Sequence, residues 1–267
     1  MSFVLVGQPR PGICLITLNR PERMNAMAFD VMIPFREAIE AVSADNAIRV
    51  IVITGAGDGF CSGADLEDAG VVPNIHGLTV SSVARRALEL LDDVVLAIRK
   101  AHQPVIAAVN GAAIGGGFCL SLAADVRLAA PGAYFRAAGI NNGLTAAELG
   151  LSYLLPRAVG SSRASEIMLT GRDVGAEEAA RIGLVSSVVA GEALLAESFR
   201  IADQMIGFSR VGLESTKRLL WSSLDASSLQ SHMEHEGYAQ LYVRLTTHNF
   251  EEAIQARRDK RPPRFLD

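Results

Sequence analysis

Residues 13–18 alternate apolar and less apolar positions after a Pro11-Gly12 turn, a period of two that predicts a strand, and the apolar stretch 3–6 is its predicted hairpin partner. Val31, Phe35, Ala38, Ile39 and Val42 then recur at helical spacing over 28–42. Residues 50–54 are continuously apolar, as in a parallel strand covered on both faces. Val80, Ala84, Ala87, Leu91, Val94 and Ile98 step by threes and fours, which predicts a long helix over 80–98. A second buried strand over 104–109, a short helix over 117–124 and a strand over 126–129 follow. Strand and helix therefore alternate, the pattern of an α/β fold with parallel strands. From about Ser161 the helical period dominates: helices are predicted over 162–169, 176–181, 192–206, 211–221, 228–245 and 250–258, with a brief extended piece at 185–189.

Length and composition set bounds on this picture. At roughly 150 residues per domain, 267 residues are expected to make one large domain or a domain with an appendage, and no tandem repeat or low-complexity linker divides them. Mean hydropathy is high at +0.25, yet charges interrupt every apolar run before the about 18 residues that a membrane helix needs. The N-terminus lacks the features of a secretory signal, so the expected location is the cytoplasm. Cys14, Cys61 and Cys119 form no CxxC pair and read as packed thiols. His232 and His235 lie three apart on a predicted helix without a third ligand in view, so no metal is expected. A net charge of -4 with interspersed signs leaves no basic face for a phosphate backbone, and nucleic acid is not an expected partner.

Gly55-Ala56-Gly57-Asp58-Gly59 follows a strand, but a dinucleotide fingerprint needs its third glycine at position 60, which is Phe60; a glycine-rich turn fits better. More informative are two small-residue loops, each after a buried strand: residues 60–66, Phe-Cys-Ser-Gly-Ala-Asp-Leu, and residues 110–117, Asn-Gly-Ala-Ala-Ile-Gly-Gly-Gly. Glycines let the backbone approach a ligand closely, and at a helix start several N–H groups stay unpaired. Such groups can hold a developing oxyanion. Either loop alone reads better as an ordinary strand-to-helix turn; the ordered pair is more specific.

With Asn19-Arg20-Pro21-Glu22-Arg23-Met24-Asn25-Ala26 before them, and with Ala123-Ala124-Asp125, Leu169-Thr170-Gly171-Arg172, Ala179 and Gly183-Leu184-Val185 after them, these loops resemble the enoyl-CoA hydratase/isomerase (crotonase) family. The resemblance implies a crotonase-like spiral of ββα units, with an acyl-CoA-binding catalytic core over residues 1–200 and a helical oligomerisation region over 201–267 that builds a homotrimer or a hexamer of two trimers. It implies an acyl-CoA or enoyl-CoA thioester as ligand, with no cofactor beyond the coenzyme A of the substrate, in the setting of fatty-acyl metabolism. By the same resemblance, the N–H groups of Ala64 and Gly116 hold the thioester oxygen and stabilise an enolate. Arg23, Ala26, Ser62, Asp65, Leu66 and Gly115 fall on positions that contact the CoA thioester. Glu67 stands where relatives often carry lysine beside the CoA phosphates; Lys260, Arg261 or Arg264 of a neighbouring subunit is the replacement to look for.

The reaction depends on the proton-handling side chain. Hydratases of the family use two glutamates, at places that here hold Cys119 and Gly139. Cys119, in an apolar helix, reads as a packed thiol in preference to a nucleophile, and Gly139 offers no acid or base. Measured back from the run 152–157, Glu148 resembles the position of an aspartate in dienoyl-CoA isomerases and 4-chlorobenzoyl-CoA dehalogenases. In an apolar pocket it would act as general acid/base with a raised pKa. Thr145 with Glu148 also fits a T-x-x-E capping box, which would make the carboxylate a helix cap instead. One carboxylate suits double-bond isomerisation; hydration through Glu148 with water held by backbone or Arg136, and a non-catalytic acyl-CoA binder, are the alternatives.

Overall fold

A computed structural model describes residues 2–266. The first half of the chain is a succession of ββα units. The strands β1 (Val4–Arg10) and β2 (Ile13–Leu18) lead into helix α1 (Phe29–Ala44), and β3 (Val50–Gly55) and β4 (Gly59–Cys61) lead into α2 (Val80–Lys100). The pattern repeats in β5 (Val105–Val109), β6 (Ala112–Ile114) and α3 (Gly116–Ala123), and then in β7 (Val126–Ala129), β8 (Tyr134–Arg136) and α4 (Leu151–Val159). After these come α5 (Ser161–Thr170), β9 (Asp173–Gly175), α6 (Ala176–Arg181), β10 (Ser187–Val188), α7 (Leu194–Ile206), α8 (Arg210–Ser223), α9 (Leu229–Thr246) and α10 (Asn249–Arg258).

The first strand of each unit enters one six-stranded sheet of order β1-β2-β3-β5-β7-β10, parallel from β2 onward with β1 antiparallel at its edge. Every residue of β3 and β5 is buried, which accounts for their continuous apolar runs. In the first unit both strands join that sheet; the second strands of the next three, β4, β6 and β8, form a separate four-stranded sheet with β9, in the order β4-β6-β8-β9. The apolar pattern does not announce these strands, and two of them lie inside what it presents as loops. Each is only three residues long, too short for a period of two to show.

Helix α2 follows the predicted stripe, capped by Thr79 Oγ1 accepting from Ser82 N–H at 3.3 Å. Burial is confined to its C-terminal part, Val94, Val95, Ala97 and Ile98, while Val80 at its start is exposed. Periodicity gives the face but not how much of the length is covered. Compactness divides the chain into one unit running through Arg200 and another beginning at Ile201. The second unit is all helix; on α9 it exposes Leu229, Met233, Tyr238, Leu241, Tyr242 and Leu245. No helix among the described residues is long and apolar enough to cross a membrane.

Candidate active site

The two small-residue loops leave adjacent strands β4 and β6 of the second sheet, and glycine lets them touch. Gly63 has φ +82°, and a Cβ there would lie 2.6 Å from the Ile114 carbonyl and 3.5 Å from the Gly115 Cα. The φ strains any side chain, and the carbonyl would have to move to admit one. Asn25, fully buried, fixes the approach from the other side: its Nδ2 donates to the carbonyls of Ala56 and Gly59 at 2.9 and 2.8 Å, and its Oδ1 accepts from Arg20 N–H.

Ala64 sits in an isolated parallel bridge with Met27. Met27 N–H donates to the Gly63 carbonyl at 2.7 Å and Asp65 N–H donates to the Met27 carbonyl at 3.0 Å. Amides alternate direction along an extended chain, so the Ala64 N–H between them points away from Met27. Gly116 opens α3, where the first turn of N–H groups has no intrahelical acceptor and carries the positive end of the helix dipole. Gly115 N–H, by contrast, donates to the Arg136 carbonyl at 2.8 Å. Among the described residues, no backbone carbonyl or side-chain oxygen takes the Ala64 or the Gly116 N–H. Side chains crowd this point: Met27 Sδ and Leu149 Cδ1 both lie against Gly116.

The half-buried Glu148 reaches the same place. A Cβ built on Gly115 would lie 3.2 Å from its Oε1, so the carboxyl faces the glycine turn. Burial raises its pKa above the ordinary glutamate value. The capping-box reading fails: α4 begins at Leu151, its N-cap is Gly150 at φ +83°, and Thr145 Oγ1 donates to the Ala147 carbonyl at 3.0 Å. Glu148 precedes the helix, followed by Leu149 at φ +44°, a left-handed conformation that is rare outside glycine.

Neither place where the family's hydratases carry a glutamate supplies an acid. Cys119 is fully buried within α3. Its Sγ lies 3.3 Å from the Gly115 carbonyl and 3.4 Å from the Glu148 carbonyl. Burial, with Glu148 adding like-charge repulsion, pushes its pKa far up, so it is a neutral thiol and not a nucleophilic thiolate. At Gly139 the Thr145 carbonyl occupies the space a side chain would need. Arg136, the residue considered for holding a water, is instead bound bidentate to Asp173 at 2.5 and 2.7 Å.

The residues that the resemblance sets against CoA divide by availability. Leu66 is 79% exposed, and Ser62 and the buried Ala26 lie in the same run of backbone bonds, Ser62 N–H donating to Met24. Asp65 is committed inward. Its carboxylate is 1% exposed, pairs with Arg20 at 3.0 Å and Arg23 at 2.6 Å, and accepts from the N–H groups of Glu67 and Asp68 at 3.0 Å. Arg23 holds that carboxyl well below the usual range. The Asp65 side chain is therefore a brace, leaving only its backbone for a ligand. Arg23 also pairs with Glu67, the acidic residue at the usual lysine position, so ligand phosphates would have to compete for it. Arg261 is likewise engaged, by Glu252 at 2.7 and 3.0 Å. Periodicity gave no sign of the Met27, Asn25 and Leu149 contributions; the positive φ of Asn25 and Leu149 belongs to tertiary context.

Paired sheets built from ββα units, with two unclaimed N–H groups beside a half-buried carboxyl, define the crotonase class of fold. The chain belongs to the enoyl-CoA hydratase/isomerase family, whose profile matches residues 9–267. It is 67% identical, over its whole length and 94% of the relative's, to a Mycobacterium bovis protein named probable enoyl-CoA hydratase echA12. A crystal structure of a probable enoyl-CoA hydratase/isomerase from Mycobacterium abscessus superposes with a TM-score of 0.95 at 66% identity, covering 99% of this chain and 98% of that one. A monofunctional enoyl-CoA isomerase from M. smegmatis superposes at 0.75 with 59% identity, covering 87% of this chain and 99% of that one.

Proposed function

We propose that the protein isomerises a double bond in an enoyl-CoA thioester, with Glu148 as the single proton carrier and the Ala64 and Gly116 N–H groups holding the thioester oxygen. The observation that carries this reading is the Glu148 carboxyl facing Gly115 while positions 119 and 139 hold a neutral thiol and a filled space. Hydrogen bonds to the thioester oxygen acidify the α-carbon. Glu148 takes a proton from that carbon, the electron pair delocalises as a dienolate whose charge rests on the oxygen, and the same carboxyl returns the proton at the γ-carbon. One C–H bond breaks and one forms, the double bond shifts, and Glu148 ends as it began. Hydration needs a second group to orient water; Arg136, bound to Asp173, is occupied.

The raised pKa fits this duty, because a base near the working pH both removes and returns a proton well. The assembly proposed is a homotrimer or a pair of trimers, supported by the exposed apolar residues of α9. The test is incubation with a panel of enoyl-CoAs in heavy water, following deuterium at the α and γ carbons by mass. Exchange at both positions that disappears in Glu148→Gln is the expected result. Wild type that binds the thioesters without any exchange would make the protein a binder, and addition of water without γ exchange would make it a hydratase.

A further inference from the structure

The thiol of Cys119 joins two pieces of backbone that the chemistry needs in register. Its Sγ lies 3.3 Å from the carbonyl of Gly115, the residue before the Gly116 donor, and 3.4 Å from the carbonyl of Glu148. Neither carbonyl depends on it for satisfaction: Gly115 O already accepts the Cys119 N–H at 3.1 Å and Glu148 O accepts the Leu151 N–H at 2.7 Å. What the thiol adds is a link between segments 29 residues apart. The segment it reaches needs one. Leu149 and Gly150 are consecutive left-handed residues, φ +44° and +83°, and a non-glycine residue held there is strained.

We infer that Cys119 is a positioning residue, whose thiol clamps the Glu148 backbone to the first turn of α3 and so sets the carboxyl beside the α and γ carbons of the bound thioester. The inference rests on the isomerase reading of Glu148. A thiol suits the post because it donates a proton while carrying no charge; a carboxylate in this buried place would set a second negative charge near Glu148. No charged side chain among the described residues contributes to the Glu148 shift, which burial causes, and the titratable group beside it is the neutral Cys119. The clamp also helps keep that burial.

Cys119→Ala removes the link and Cys119→Ser keeps a donor with shorter reach. The expected result for Cys119→Ala is a fall in kcat of about tenfold with KM little changed, the order of effect that a small misplacement of a reacting group produces. The acid limb of its kcat/KM profile moves to lower pH as water reaches Glu148. Cys119→Ser falls between Cys119→Ala and wild type. Combined with Glu148→Gln, Cys119→Ala causes no further loss. Wild-type kcat and an unmoved acid limb in Cys119→Ala overturn the proposal, as does an equal loss in both variants that follows their melting temperatures. If Glu148→Gln is itself fully active, the isomerase reading fails; if it is inactive while Cys119→Ala is normal, only the clamp fails.

Discussion

Glu148 is half-buried and no cation among the described residues compensates it, so the fold favours its protonated form. Its folded pKa lies above the unfolded value; the unfolded chain therefore gives up this proton first as pH rises. Its contribution is neutral below the unfolded pKa and becomes destabilising as pH rises through the folded one. Glu148→Gln is expected to match wild type in melting temperature near pH 4 and to melt higher at pH 8, while losing isomerisation by about 10²–10⁴-fold, the usual span for a general acid/base. Thermal melts across pH and the exchange assay check the two halves separately. Gly139 makes the opposite prediction. Gly139→Glu should gain no hydratase activity and should destabilise by about 3 kcal/mol, the upper range for overpacking, because the Thr145 carbonyl fills the space, and a denaturant titration reads this directly. The family resemblance was enough to single out Glu148 and the places, Cys119 and Gly139, where hydratases carry glutamates. It was silent on why Gly139 must be glycine, since the obstructing atom belongs to a backbone six residues on.

At the scale of elements, the long buried strands and the helices were legible because each has enough residues to display its period. The second sheet was not, although its strands β4 and β6 deliver both loops of the site. Three residues carry no periodicity, and their position is fixed by partners on other strands. This places the weight of the site on the junction at Gly63. Gly63→Ala has to leave φ +82° or hold an alanine there, and must also move the Ile114 carbonyl. The backbone conformation alone costs on the order of 1–3 kcal/mol. The expected outcome is a lower melting temperature and a larger loss of kcat than of substrate affinity, checked by steady-state kinetics beside calorimetric binding of a saturated acyl-CoA.

For the whole molecule, the helical C-terminal unit exposes on α9 more large apolar side chains than a lone chain needs, including Tyr238, Leu241, Tyr242 and Leu245 within two turns. Light scattering is expected to give three or six times the 28.4 kDa of the chain. Replacing Leu241 and Leu245 by aspartate should shift that mass to a single chain, because burying a charge in an apolar contact is costly. The helical tail was plain from the period of 3.6, whereas the oligomerisation proposed for its apolar face rests on the resemblance, since one chain cannot display its own partner surface.

The filled space at Gly139 bears on how a lineage of such enzymes travels between reactions. Where two chemistries differ by side chains alone, single codon changes walk back and forth between them. Here the segment from Gly139 to Gly150 has taken over the volume one of those side chains would use, and it bears Glu148 at its far end. Placing a glutamate side chain at position 139 requires rerouting the segment, and rerouting it displaces Glu148. The main-chain path thereby acts as a ratchet against point substitution, and exchanging the whole loop is the route by which a glutamate is placed at position 139.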